Sequence, residues 1–531
     1  MNIRLSIPLV ISLLLLAPAI AFGDDQQTGS GKLGEVSFAT SCDPKVQTKF
    51  ERAVAMLHSF WYSAGEAAFR DVLAKDPSCA IATWGIAAIL MNNPLAGQGA
   101  SAKGAEQAQA AIDQGRRIGA KTQRERDYIE AVAAYYMDYA NRSERDRQAS
   151  RAQAFEALAA RYPADDEAQI FSALYIAGTQ SQADQTYAAY IKAAAILEGQ
   201  FVKYPNHPGV AHYLIHCYDA PPIAQRGVIA ARRYATIAPD APHALHMPSH
   251  IFTRVGLWEE SAETNSRSFE VAKQGNEPDE AYHASDYMVY AYLQLARDTD
   301  ARVAIDAANK VTGISPRFVA PYAIAAMPAR YVVERGDWQG AARLEVAPTT
   351  YPFVSAITYY ARALGSAHTG DVAAAKKDAE QLTAAQSALE AAENKYWATE
   401  VEIQRLGAAA WIALAERKND EALKLMRASA DLEDRNEKHI VTPARLLPAR
   451  ELLGEMLLAL NQPREALKEL EASQQREPNR FRNYALCARA AEEANDGAAA
   501  RKYNGKLVAL AKDPAASRPE LVHARMVIGS R

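Results

Sequence analysis

Several signatures that would place this chain in a known chemistry are missing from it. Four cysteines occur in 531 residues, and none forms a Cys-x-x-Cys pair. No Gly-x-Ser-x-Gly elbow and no His-Glu-x-x-His pair is present. The Gly97-Gln98-Gly99-Ala100-Ser101 stretch follows a helical pattern rather than a strand, so it does not qualify as a phosphate-cradling loop. Runs of Val, Ile and Thr in strict alternation are absent, which excludes a sheet-built fold. The net charge is -4, and no Lys/Arg run interleaves with aromatics, so nucleic acid is excluded as a partner. Past residue 20 no stretch approaches the ~20 apolar residues that a membrane span needs.

What the chain does have begins at its N-terminus. Arg4 precedes an almost wholly apolar run from Leu5 to Ile20, and Ala19-Ile20-Ala21 offers a small-x-small cleavage site. This reads as a secretory signal, so the mature protein is expected to be exported, to the periplasm if the cell is Gram-negative. In an oxidising compartment the cysteines need sorting. Cys42 precedes the first predicted helix and Cys79 follows the second. A helical hairpin returns those points to the same end, which makes a Cys42–Cys79 disulfide feasible. Cys217 and Cys487 read as small core residues.

A chain of 531 residues exceeds the ~250–300 residues of one compact core, so it is either several domains or a solenoid. From about Cys42 onward, Ala-rich segments are apolar at i, i+3, i+4 and i+7 and are split by Asp-Pro, Gly-Asp or Asn-Asp breaks, the pattern of successive amphipathic helices. Tyr62-Ser-Ala-Gly-Glu-Ala-Ala-Phe69, running on to Pro77, resembles the second helix of a tetratricopeptide repeat, as does Arg464-Glu-Ala466-Leu-Lys-Glu-Leu470 leading to Pro478. Pro205 and Pro239 repeat at the period of that family. Gly256-Leu-Trp258, Gly336-Asp-Trp338 and Gly370-Asp371 look like turns between paired helices. The resemblance implies an all-α fold, a right-handed α-solenoid of tetratricopeptide-type helical hairpins, because one hairpin cannot bury both faces without neighbours. The expected organisation is a signal peptide at 1–23, a flexible leader at 24–41, irregular helical repeats at 42–200, central repeats at 201–345 and C-terminal repeats at 346–525.

Histidine is unevenly spread. The chain has 11, yet His212, His216, His243, His246 and His250 fall within one short window, where an even spread would place fewer than one. His212 and His216 are four apart, as are His246 and His250, so each pair projects from one helix face. The second pair follows the first by one repeat length, so the two should occupy equivalent positions on neighbouring hairpins and could converge. Four imidazoles from two adjacent helices would suit Zn²⁺ or Cu²⁺, and a three-histidine subset would leave an open position. Asp219, Asp240 and Asp286 are candidates to accept the outward ring N–H groups. Pro248 lies inside the second pair. It is expected to interrupt the helix at Met247 and to make that pair's geometry only approximate.

The segments Leu57-His58-Ser-Phe-Trp61-Tyr62, Ala82-Thr-Trp84-Gly85, His212-Tyr-Leu-Ile-His216 and His246-Met-Pro-Ser-His250-Ile resemble a group of exported bacterial tetratricopeptide proteins. The repeat register of that family implies that the clustered histidines line the concave groove, with His58 and Trp84 at related positions. Three readings stand side by side. The first is a solenoid binding a ligand in its groove through a zinc or copper ion held by His212, His216, His246 and His250. The second is a metal-free scaffold that binds a peptide, protein or small ligand, with His58, Trp84, His243 and Arg254 as contacts. In the third the histidines merely order the Pro-rich turns. A metal-dependent hydrolase would also need a general base, and the sequence names none, so the reading stops short of an enzyme.

Overall fold

The computed structural model describes residues 31–97 and 99–529. The predicted signal peptide and leader residues 24–30 lie outside the described residues. Among the described residues the chain forms twenty-six α-helices and three short 3₁₀ turns, with no strand. No described helix is long and apolar enough to cross a membrane.

Helix boundaries follow local chemistry. Ser101, Thr122, Ser143, Asp165 and Asp371 each cap a helix by accepting a backbone N–H in its first turn. At Gly256 two demands coincide: φ is +70°, and a Cβ there would lie 2.7 Å from the Pro478 carbonyl oxygen. Consecutive helices pack on each other throughout, and many also touch the next but one. The result is a stack of helical hairpins with a core running along its length: one apolar cluster extends from Leu33 to Phe252, and another from Ala296 to Ala524.

Residues 31–41 depart from the expected flexible leader. They carry no helical turn but are fixed in place. Phe38 is buried against Phe50, Trp84 and Tyr128, and Glu125 accepts the Ser41 backbone N–H at 2.7 Å. The apolar residues Leu33 and Phe38 tie this polar-looking segment down. Beside it, Cys42 and Cys79 are joined in a disulfide, while Cys217 and Cys487 are buried thiols.

One stretch without regular helix decides the shape of the centre. Residues 436–447 cross back from the C-terminal half onto the central repeats. Glu437 donates its backbone N–H to the Gln182 carbonyl, the Tyr287 hydroxyl donates to the Thr442 carbonyl, and Arg330 donates to the carbonyls of Ala444 and Arg445. Farther along, Trp258 Nε1–H donates to the Asn479 carbonyl. Arg480, fully buried, holds the carboxylates of Glu334 and Glu451 at 2.8 and 3.0 Å. The stack therefore closes on itself over its middle.

Candidate metal centre

Three successive repeats build the centre. The helix Pro208–Tyr218 begins with proline at its first position and carries His212 and His216. One repeat later Pro242–His246 and Pro248–Val255 carry His243, His246 and His250. The expected interruption falls at Met247, between these two helices, yet it is slight. Met247 keeps helical dihedrals (φ −53°, ψ −37°), and its N–H still donates to the His243 carbonyl at 2.9 Å. Proline thus deletes one N–H without redirecting the axis, because it sits at the start of a turn, where a missing donor costs little. Both i,i+4 pairs are consequently tight: His212 and His216 face each other Nε2 to Nε2 at 3.1 Å, and His246 and His250 at 3.0 Å.

The four residues do not form one isolated set. They sort into two trios, His212 with His216 and His243, and His246 with His250 and His283, within each of which one ring nitrogen per residue lies within 4.8 Å of the others. His283 was not foreseen from sequence. It stands on Pro278–Gln294, another helix with proline in its first turn. Its partner four residues on is Tyr287, and the displacement from the preceding pair is 37 residues, as between His250 and Tyr287. A search for repeated histidine pairs at a shorter period passes over it. A histidine four before a tyrosine, on the next Pro-headed helix, was the available signal.

All six imidazoles are between 0 and 7 % exposed. Tyr287 packs on His246, His250 and His283, and Lys438 of the 436–447 crossing lies against Asp219 behind His250, so the six rings form a buried chamber and not the wall of an open groove. Burial, reinforced by the neighbouring imidazoles, pushes the ring pKa of His212, His216 and His246 well below the ordinary value. Burial brings His250 down to about 4 and His283 to about 3, although Asp219 and Glu280, respectively, oppose the shift. These rings are neutral at pH 7.

Their outward nitrogens are braced. His212 Nδ1–H donates to the His58 carbonyl at 2.6 Å. His243 Nδ1 meets the Glu280 carboxylate at 3.1 Å, His246 Nδ1 meets Asn265 Oδ1 at 2.7 Å, and His250 Nδ1 meets Asp219 Oδ2 at 2.9 Å. The Asn265 amide has its own orientation fixed, since its Nδ2–H₂ donates to the Ser261 carbonyl. Each of these acceptors can only accept, so each Nδ1 carries the proton and the corresponding Nε2 is left as a bare lone pair pointing inward. His246 and His250 then aim two lone pairs at each other across 3.0 Å. In the first trio, His216 can donate Nε2–H to His212, but its Nδ1 and the Nε2 of His243 have no hydrogen-bond partner among the described residues.

A nearby trio makes the contrast. His58 and His207 each place Nε2 2.9 Å from a different oxygen of the Glu167 carboxylate. His58 Nδ1 accepts from the Tyr213 hydroxyl and His207 Nδ1 from the Val210 N–H. Every ring nitrogen there has a partner in Tyr213, the Val210 N–H or the Glu167 carboxylate, which is the bonding of a structural network. His58 thus stands outside the chamber, touching it through its carbonyl.

The other residues singled out from sequence also find their places. Trp84 is wholly buried in an aromatic cluster with Phe38, Phe69, Tyr128 and Phe171, not on a groove wall. Arg254 is buried as well and clamps Asp219, its Nε 2.7 Å from Oδ1, with Glu437 3.5 Å away. Lys438 adds a second cation 3.3 Å from Asp219. Burial alone would raise the Asp219 carboxyl, but Lys438, Arg254 and the His250 N–H outweigh it and hold it ionised. Asp286 pairs with Arg330 instead of a histidine, and Asp240 accepts from the Lys32 backbone N–H. His243 and His283 form part of the wall of a cavity of about 260 Å³, whose other sides include Trp61, Tyr62, Glu277 and Arg317.

No family model matches the chain, and no curated protein does. Among solved structures, it aligns with the crystal structure of the APC/C hetero-tetramer Cut9-Hcn1 over 90 % of this chain and 96 % of that one, at 10 % identity and a TM-score of 0.29. It aligns with the human IFIT1 dimer with PPP-AAAA over 77 % and 88 %, at 10 % identity and a TM-score of 0.34. Superpositions this loose say nothing about what this chain binds.

Proposed function

We propose that this helical-repeat protein is an exported metal-binding protein, with zinc or copper held by the histidine trios and a small molecule admitted beside them. One observation carries the metal: the Nε2 lone pairs of His246 and His250 face each other at 3.0 Å while both Nδ1–H groups are committed elsewhere. Two bare lone pairs in that position repel unless both are directed at one cation, which at ~2.0–2.1 Å from each nitrogen sits beside the line joining them. Imidazole nitrogens with outward N–H groups braced by carboxylate or carbonyl are the usual ligands of zinc and copper. Export is supported by the N-terminal apolar run after Arg4 and by the Cys42–Cys79 disulfide, which suits an oxidising compartment.

The cavity suggests the kind of ligand. At about 260 Å³ it lies just below the ~300 Å³ at which pockets for drug-sized ligands begin, and it suits a molecule of a single ring. Phe60, Trp61 and Tyr62 supply an aromatic wall; Glu277, Asp279 and Glu280 outnumber Arg317. Uncharged or cationic ring compounds fit this lining, and organic anions are repelled.

Elemental analysis of the purified protein, beside a His246→Ala/His250→Ala variant, tests the metal. Zinc or copper bound by the parent, with the variant losing the share that the His246–His250–His283 trio holds, supports the reading. A parent protein that stays metal-free after remetallation sinks it and leaves only a scaffold. Calorimetry of the metal-free protein with phenol and with benzoate tests the cavity lining by itself, phenol alone being expected to bind.

A further inference from the structure

We infer that the two histidine trios are halves of one binuclear centre, in which two metal ions share a single-atom bridge derived from water. This rests on the metal reading above and extends it.

The spacing is the first ground. Inside the trios, neighbouring rings have centroids 4.0 to 6.1 Å apart. Between them the closest pairs are scarcely farther apart: 5.7 Å for His216 and His250, 5.9 Å for His243 and His246, and 6.4 Å for His243 and His283. Rings of the two trios are thus direct neighbours, close enough that ions bound one to each trio could share a bridging atom, as in two-metal sites with a gap of ~3.5–4 Å.

The make-up of the trios is the second ground. Each has one imidazole braced by a carboxylate, His243 by Glu280 and His250 by Asp219. Each has one braced by a neutral carbonyl oxygen, His212 by the His58 backbone and His246 by the Asn265 amide. The third member, His216 or His283, is held by ring contacts with its neighbours. The two trios therefore offer an ion the same kinds of donor, although the carboxylate brace falls on members that are not repeat equivalents, His243 and His250.

The third ground is charge. Six imidazole nitrogens, which bring no negative charge, donate to the ions, and Asp219 is already offset by Arg254 and Lys438. Two divalent ions side by side in so buried a chamber demand an anion between them. Water reaches the chamber by the cavity at His243 and His283. Bound between two cations it becomes hydroxide, releasing one proton to solvent, because metal coordination lowers its pKa steeply.

Copper(II) is the probe. Full-length mature protein is loaded with Cu²⁺, copper per chain is counted, and the electron paramagnetic resonance signal is integrated. Two coppers per chain with most of the signal missing, through coupling across the bridge, is the expected result. His212→Ala and His246→Ala, checked for helix content by circular dichroism, should each hold one copper with its full signal. Two coppers with a full additive signal, or one copper per chain in the parent, overturns the binuclear centre but leaves metal binding standing. No bound copper at all overturns both.

Discussion

The hydrogen that each imidazole carries on its outer nitrogen decides the character of the chamber. Asn265 fixes the tautomer of His246 from outside and does not itself face the chamber. Asn265→Ala should therefore keep the fold and lower metal affinity about 10–100-fold, the usual cost of removing such a brace. A competition titration against a chromogenic chelator reads this directly, and unchanged affinity would show that the brace is idle. At this scale sequence was informative about some residues and blind to others. Two histidines four apart, repeated one unit later, were visible because helical spacing and repeat length are both written in residue numbers. His283 was not, since its repeat is longer and its companion is tyrosine. Trp84 and Arg254 were recognised as unusual, but whether a large residue faces a hollow or a core depends on what packs over it. For Trp84 that was Phe38, in a segment that looked flexible.

Among helices, Pro248 and Gly209 carry opposite lessons. Met247 already has helical dihedrals, so Pro248→Ala restores one backbone donor while giving up the stiffness of the unfolded chain. These effects are each about 1 kcal/mol or less and opposite in sign. Stability by urea denaturation should shift by less than about 1 kcal/mol, with metal content unchanged. Gly209→Ala is a different matter. A Cβ there would lie 2.3 Å from His58 Nδ1, so the helix that carries His212 must move away from the one that ends in His58. A loss of about 1–3 kcal/mol is expected, as for other overpacked contacts, together with weaker metal binding.

The helix Asn419–Glu433 ends in a carboxyl whose titration is unusual. Burial raises Glu433 to about 7, outweighing Arg445. Below pH 4.5 folded and unfolded chains both hold that proton, so the group is neutral to stability. Between 4.5 and 7 only the folded chain keeps it, and its contribution turns unfavourable as pH rises through that window. Glu433→Gln should be more stable than the parent at pH 8 and match it at pH 4, by denaturation at each pH.

On the scale of the whole molecule, the long-range closure was the least legible part. Hairpin period, turn glycines and the all-helical class follow from short-range patterns. The return of residues 436–447 to Asp219 and Tyr287 depends on contacts more than 150 residues apart, which no local pattern encodes. Arg480 is the other tie. It is fully buried between Glu334 and Glu451 and also donates to the Tyr290 hydroxyl. Arg480→Ala strands two buried carboxylates and should lower stability by about 3–5 kcal/mol in guanidinium denaturation. A much smaller loss would mean that the two ends of the stack are joined mainly by other contacts.

The lid over the histidines is supplied by the last fifth of the polypeptide. During synthesis the three histidine-bearing repeats emerge long before Lys438 and Thr442, so for that interval their imidazoles stand open to solvent and to any passing cation. Only when the later helices dock does the doorway shrink to the cavity at His243 and His283. If the trios hold metal, ions then pass only by that doorway, so loading and release are expected to be slower in the complete chain yet to reach completion on incubation. A chain cut short before residue 436 should load readily and lose its ions just as readily, so residence time, more than affinity, is what the final turns of the stack confer.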